Sequence, residues 1–259
     1  MIPTSTAMPD PPDDDSVLAC ALADARFHEL AFTALGIPIH RNAALWWGLQ
    51  PAAPFFMTAG TLSAAVTSAA VLSVLEALPG AQQVRDCWGR LDLTGGGFTA
   101  ELDDPWMVRP PGPLPGRGVA GLVIRRARTP EDVLLFERTG VLGTGDDPPP
   151  GYRDGDLHPA AATPTDGDLH LFTGFLDGEP VATALAAVHP QVVMVGAVRT
   201  RSDVRGRGIG TALTATAVAA APARVAALGA RPLGVPVYRR MGFTACGHGL
   251  LWHRADGGS

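Results

Sequence analysis

Three apolar runs, at residues 168–176, 181–188 and 192–200, follow one another with only Asp177-Gly178-Glu179 and His189-Pro190-Gln191 between them. Connections that short join antiparallel neighbours, because a parallel return needs a crossover of a dozen or more residues. The stretch therefore predicts an antiparallel meander. Its third strand runs through a glycine-rich turn, Arg205-Gly206-Arg207-Gly208-Ile209-Gly210-Thr211, into an Ala-rich segment of helical composition at 212–221. A strand feeding a helix through such a turn lines up several backbone N–H groups at the positive end of the helix dipole, which makes it an anion site.

The rest of the chain divides at residues 110–118 (PPGPLPGRG), where consecutive Pro and Gly sustain neither helix nor interior strand. With 259 residues, 46% of them apolar and 17% charged, two globular domains are expected. The expected organisation is a disordered tail at 1–15, an α/β or α+β unit at 16–109, a linker at 110–118 and a second unit at 119–259. In the first unit a helix starts at Ser16 and runs to His28, strands fall at 43–49 and 55–57, and a helix covers 59–78. That last segment is twenty residues long and largely uncharged, but Ala, Ser, Thr and Glu76 make it a packed soluble helix and not a membrane span. Trp46, Trp47, Trp88 and Trp106 suit either a hydrophobic core or an aromatic platform, the core being the commoner use. In the second unit, 119–126 reads as a strand, and Thr129-Pro130-Glu131-Asp132 opens a helix that runs to about Thr139. Residues 143–167, rich in Asp, Pro and Gly, read as an irregular, functional-length loop.

Composition excludes several classes of function. The net charge is −5 and the cationic residues, all 20 of them Arg, are scattered, so nucleic acid is not an expected partner. Cys20, Cys87 and Cys246 are far apart and have no metal-ligand spacing, so no metal is expected and the thiols read as buried in a reducing cytoplasm. The first residues lack a basic region followed by an apolar one, the pattern of a secretory signal. The expected location is cytoplasmic, without membrane attachment.

Two familiar phosphate loops fail the test of residues. A Walker A loop needs Gly-Lys-Ser/Thr, and the chain has no Lys. A dinucleotide fingerprint needs GxGxxG after the first strand of a parallel unit, whereas Gly206, Gly208 and Gly210 are spaced GxGxG after a meander. The R-x-x-G-x-G pattern of Arg205, Gly208 and Gly210 instead resembles the pyrophosphate loop of the GNAT superfamily of N-acetyltransferases. Residues 169–188 resemble that family's second and third strands, the 190s its fourth, 225–228 its fifth, and GVPVYRRMGF at 234–243 its late helix and Gly-Phe turn.

The resemblance implies an α/β (α+β) acyl-CoA N-acyltransferase fold, a mixed, mostly antiparallel sheet flanked by helices. It implies acetyl-CoA as cosubstrate and an amine, on a small molecule or a protein, as acceptor. Val198, Arg199 and Thr200 would pair through their backbone with the pantetheine arm. Arg205, Gly206, Arg207, Gly208, Ile209, Gly210 and Thr211 would hold the pyrophosphate, and Tyr238 would protonate the departing thiolate. With a thiol near pKa ~8.5 and a tyrosine near ~10, that transfer is uphill by only ~2 kcal/mol. The bland use of Tyr238 is an amphipathic helix residue with its hydroxyl at the surface. Gly229 and Arg231 depart from the family's pattern after the fifth strand.

The predicted fourth strand carries no acid. His170, Glu179 and His189 are the nearest candidates for a base, and water or no dedicated base is the expectation. Asp146, Asp147, Asp154, Asp156, Asp166 and Asp168 either favour a cationic amine or are merely solvated. Residues 16–109 loosely resemble a degenerate second copy of the fold, in tandem and without R-x-x-G-x-G. Covering the acceptor side, building a homodimer interface and serving as structure are the uses open to them. The rival function is a non-catalytic acyl-CoA sensor or interaction module.

Overall fold

The computed structural model describes residues 13–50, 56–112, 114, 118–142, 152–163 and 167–255. In chain order the elements are α1 (Asp14–Leu35), β1 (Ile39–Arg41), β2 (Leu45–Gly48), β3 (Ala59–Thr61), α2 (Ser68–Leu75), β4 (Gln82–Asp86), β5 (Thr99–Arg109), β6 (Leu122–Arg126), α3 (Pro130–Val141), β7 (Leu169–Leu176), β8 (Glu179–Val188), β9 (Val192–Thr200), α4 (Ile209–Val218), β10 (Val225–Gly229), α5 (Val235–Arg240) and β11 (Thr244–Arg254). The expected meander is present as β7, β8 and β9, antiparallel throughout.

All eleven strands belong to one sheet in the order β1-β2-β3-β4-β11-β5-β10-β9-β8-β7-β6. With β6 set aside, the pairing pattern reads alike from both ends. From one end β1/β2 and β2/β3 are antiparallel, β3/β4 parallel and β4/β11 antiparallel. From the other, β7/β8 and β8/β9 are antiparallel, β9/β10 parallel and β10/β5 antiparallel. The last strand of each half thus lies against the other half's sheet, and β5 and β11 pair with each other at the centre. The Pro/Gly segment, of which 113 and 115–117 lie outside the described residues, joins two parts of one sheet.

Side chains alternate between the two faces of β8, as the strand period requires. Ala182, Ala184 and Ala186 pack with Leu213 and Ala217 of α4, whereas Leu185 and Ala187 pack with Val133 and Phe136 of α3. Phe27 and Leu30 of α1 join that second cluster, so α1 and α3 share one face and α4 covers the other.

Several expectations change: Phe56 and Met57 form no strand, and α1 runs past His28 to Leu35. The helix expected over 59–78 is a strand, β3, followed by the short helix α2 that begins only after the N-cap Thr67. Tertiary packing decides it: Gly60 lies under the Trp46 indole, where an added Cβ would come within 2.5 Å of Nε1. Central pairing between β2 and β4 outweighs the weak helical preference of an Ala/Ser/Thr sequence. The expected tail ends earlier: Asp14 and Asp15 form the acidic first turn of α1, and residues 1–12 lie outside the described residues. Trp46, Trp88 and Trp106 are buried, the core use, while Trp47 is half-buried.

Candidate functional site

The parallel pair β9/β10 opens at one end. Pairing is confined to Val192, Val193 and Met194 opposite Val225, Ala226 and Ala227, after which β9 continues to Thr200 beside β8 alone and β10 stays with β5. A register shift against β8 and a positive φ of 47° at Ala197 mark a bulge at this point. Bulges re-aim the residues that follow. Beyond it, Val198 and Thr200 face α4, since both stand beside Gly210, whereas Arg199 turns to the opposite face and donates from Nη1 to the Gly140 carbonyl at 3.1 Å.

The glycine turn closes the open end. Gly206 and Gly208 have φ of 78° and 84°, left-handed conformations that strain any side chain. Gly208 is the N-cap of α4 and supplies no side chain to it, so the first N–H groups of the helix face outward uncapped. The equivalent helix of the other half, α2, is stopped by its own Thr67, whose hydroxyl accepts from the Ala70 N–H at 3.2 Å. Ile209 is buried in the core and Thr211 is half-buried, so at the turn both contribute mainly backbone; Arg207 is exposed. Arg205 donates from Nε to the Thr200 carbonyl at 2.9 Å, fastening the turn to the end of β9.

Tyr238, on α5, packs edge-on against Phe243 with ring centroids 5.8 Å apart and borders the core cluster that includes α4. Burial pushes its phenol above the ordinary tyrosine range, and the Thr214 hydroxyl draws it partly back. The group therefore stays protonated at neutral pH, the state a proton donor requires. Its contact with α4 puts it on the same face of the sheet as the glycine turn.

Two cavities meet at β9, sharing Met194, Gly196 and Ala197. One lies in the opening itself, lined by Gly229 of β10, Arg85 of β4, and Asp103, Asp104 and Trp106 of β5. Asp103 and Arg85 pair at 2.9 Å, and Arg85 also binds the fully buried Asp24 of α1. Burial opposes the charge on Arg85, but Asp24 and Asp103 more than offset it and hold the guanidinium above its ordinary value. Burial raises Asp103 in spite of Arg85. Asp104 is half-buried, beside Gly229. The acid missing from the fourth strand is thus supplied to the opening by the exchanged strand of the other half.

The second cavity, about 210 Å³, lies on the α1/α3 face. Phe27 of α1 and Phe56 come from the N-terminal half, facing Phe136, Glu137 and Gly140 of α3, with His158 and Met194 beside them. Burial works against ionisation of Glu137, but the adjacent His158 ring, the Tyr152 hydroxyl at 2.9 Å and the Gly155 N–H at 2.7 Å outweigh it and hold the carboxyl below its usual range.

None of His170, Glu179 and His189 lines either cavity. Of the loop acids, Asp146, Asp147 and Asp166 lie outside the described residues. Asp154 pairs with Arg138 and Asp168 with Arg26, both at 2.5 Å, and Asp156 accepts from the Arg153 N–H at 2.7 Å. Sequence reasoning missed Asp103, Asp104, Phe27, Phe56, Glu137 and His158. No local motif carries them, because each reaches the site through pairing or packing across the sheet. Among the described residues no group of His, Cys, Asp and Glu is arranged to hold a metal ion, and no helix is long and apolar enough to cross a membrane.

Residues 143–243 match the model of the acetyltransferase (GNAT) family. No curated protein matches the sequence. Among solved structures, a GCN5-related N-acetyltransferase from Kribbella flavida is similar with a TM-score of 0.61 and 20% identity, over 93% of this chain and 98% of its own. A conserved protein of unknown function from Staphylococcus epidermidis aligns with a TM-score of 0.60 and 12% identity, over 84% and 93%. A putative GNAT-family acetyltransferase from Novosphingobium aromaticivorans aligns with a TM-score of 0.57 and 17% identity, over 88% and 97%. At these identities the likeness is one of fold, and it extends over both halves of the sheet.

Proposed function

We propose, from the match of residues 143–243 to the acetyltransferase (GNAT) family, that the protein transfers the acetyl group of acetyl-CoA to a primary amine by direct attack in a ternary complex. The observation that carries this reading is the opening between β9 and β10, closed at one end by the uncapped N-terminus of α4. A flat thioester arm fits between strands that have parted, and a pyrophosphate fits against outward N–H groups at the positive end of a helix. The residues present fit the coenzyme on both counts.

Val198, Arg199 and Thr200 offer their backbone edge to the arm, and residues 205–211 hold the pyrophosphate, with Arg207 exposed to add charge. Asp104, in the opening, takes the proton of the attacking amine, directly or through one water. The N–C bond forms as the C–S bond breaks, the electron pair stays on sulfur, and Tyr238 supplies the proton that sulfur takes up. A carboxylate at this place weakens the case for a non-catalytic sensor, which rested on the lack of an acid on the fourth strand. The N-terminal half is read as a degenerate second copy of the fold. Its α2 is capped by Thr67, so it offers no equivalent anion site.

Thiol release from acetyl-CoA in the presence of an amine panel tests the transfer. Tyr238→Phe is expected to slow release by ten- to a hundredfold and to leave acetyl-CoA affinity nearly unchanged. An unaffected rate removes Tyr238 from the mechanism, and acetyl-CoA binding without release for any amine overturns the transfer.

A further inference from the structure

The cavity on the α1/α3 face has three features that together specify a ligand. Its walls are mainly apolar, with Phe27, Phe56, Phe136 and Met194 among them. At about 210 Å³ it is larger than the cavity of ~150 Å³ known to hold benzene. It opens to the surface, and an apolar concave pocket of this kind with a few polar groups is the usual form of a small-molecule site. The third feature is His158, which lines the cavity, is only 6% exposed, and whose Nε2 has no hydrogen-bond partner among the described residues. Its Nδ1 faces Glu137 Oε2 at 3.5 Å, which leaves Nε2 as the ring atom without a partner. A buried polar group without a partner needs an explanation, and a ligand's polar atom supplies one.

Charge completes the specification. Among the described residues Glu137 is the only acid in the lining, Arg199 adds a cation, and the Glu137 oxygens are already taken by Tyr152, Gly155 and the His158 backbone N–H. No free carboxylate is left to hold an ammonium in the cavity, and burying an unpaired cation there is prohibitive. The cavity shares Met194, Gly196 and Ala197 with the opening where the proposed transfer takes place.

Resting on the acetyltransferase reading, we propose that the acceptor is a small primary amine with a compact apolar body, about a phenyl ring and two carbons in size. The body occupies this cavity, a polar atom of the substrate satisfies His158, and the nitrogen reaches the opening past Ala197. The N-terminal half, through Phe27 and Phe56, forms one wall and so sets specificity. Polyamines and amino alcohols of similar length are excluded.

The test uses the full chain, saturating acetyl-CoA and four amines: 2-phenylethylamine, 3-methylbutylamine, ethanolamine and 1,4-diaminobutane. The two apolar amines are expected to exceed the two polar ones at least tenfold in kcat/KM. Gly140→Leu fills the cavity from α3, and should cut the apolar rates at least tenfold while the acetyl-CoA dissociation constant stays within about twofold. Gly140→Ala is the milder variant should leucine fold poorly. Its Cβ meets only Thr183 at 3.4 Å, and it should slow phenylethylamine more than methylbutylamine. Equal turnover of polar and apolar amines, or equal loss for all four in the Gly140 variants, overturns the inference and leaves the acetyltransferase reading standing. Absence of thiol release with every amine overturns that reading and takes this inference with it.

Discussion

Replacing Gly210 by alanine should raise stability and lower acetyl-CoA affinity at once. Gly210 is the second residue of α4 and has no positive φ, so alanine suits its backbone. The added Cβ would lie 3.5 Å from Thr200 Oγ1 and 4.0 Å from Val198 Cγ1, ordinary contacts that need no movement. Removing a helical glycine gains up to about 1 kcal/mol in an interior position, and about half that in a first turn. For a chain of this size that raises Tm by about 1–2 °C. The same methyl group projects between the end of β9 and α4, within the turn proposed to hold the pyrophosphate. Overfilling a fitted space costs about 1–3 kcal/mol, equivalent to a roughly 5- to 150-fold weaker Kd. Gly208→Ala serves as the control: its φ of 84° makes alanine cost about 1–2 kcal/mol, so it should lower both stability and affinity. Thermal unfolding and titration calorimetry with acetyl-CoA read the two effects separately. If Gly210→Ala raises Tm and leaves Kd unchanged, the turn is not the coenzyme site. If it lowers Tm, the backbone argument is wrong.

Other perturbations separate the roles of the buried charges. Asp104→Asn should lower kcat without changing acetyl-CoA affinity, and an unchanged kcat in single-turnover kinetics assigns the amine's proton to water alone. Asp24→Asn removes one carboxylate from a buried Arg85 and leaves Asp103 as its remaining partner, so urea unfolding should show a loss of about 3 kcal/mol; a loss below about 1 kcal/mol would mean that Arg85 finds water. Burial lowers the pKa of His28, which accepts the Met57 N–H at Nε2 and so must stay neutral in the fold. The unfolded chain takes up that proton as pH falls below about 6.5 while the folded chain does not, so stability should fall from pH 7.5 to 5.5. His170 and His189 act in the same direction but are half-exposed, so most of the fall should vanish in His28→Gln.

What the sequence made legible is what local chemistry determines. The meander β7 to β9, the capping box at Thr129 and Asp132 that starts α3, and the glycine turn before α4 all depend on residues within a few positions of one another. The 59–78 segment misled because its composition is compatible with helix and only the Trp46 contact over Gly60 shows why a strand is needed there. The second cavity was illegible for a related reason: Phe27, Phe56 and His158 belong to three separate segments, and nothing near any of them in sequence marks it as facing a cavity.

The exchange of β5 and β11 explains why the acid of the site escaped a reading that looked for it on the fourth strand. Strand β10 has β9 on one edge, from which it parts after Ala227, and on its other edge an antiparallel neighbour that comes from residues 99–109. Strand β5 therefore enters the opening from the far side of the Pro/Gly segment and brings Asp103 and Asp104 with it. Arg85 fixes their position through Asp103, and Asp24 fixes Arg85 to α1, whose Phe27 walls the other cavity. One buried ion network thus ties the opening to the second cavity, and every acidic member of it belongs to the half that lacks the glycine turn. On the proposed reading, the half without the glycine turn belongs to the active site, because without it one edge of β10 would be unpaired and the opening would lack its carboxylates.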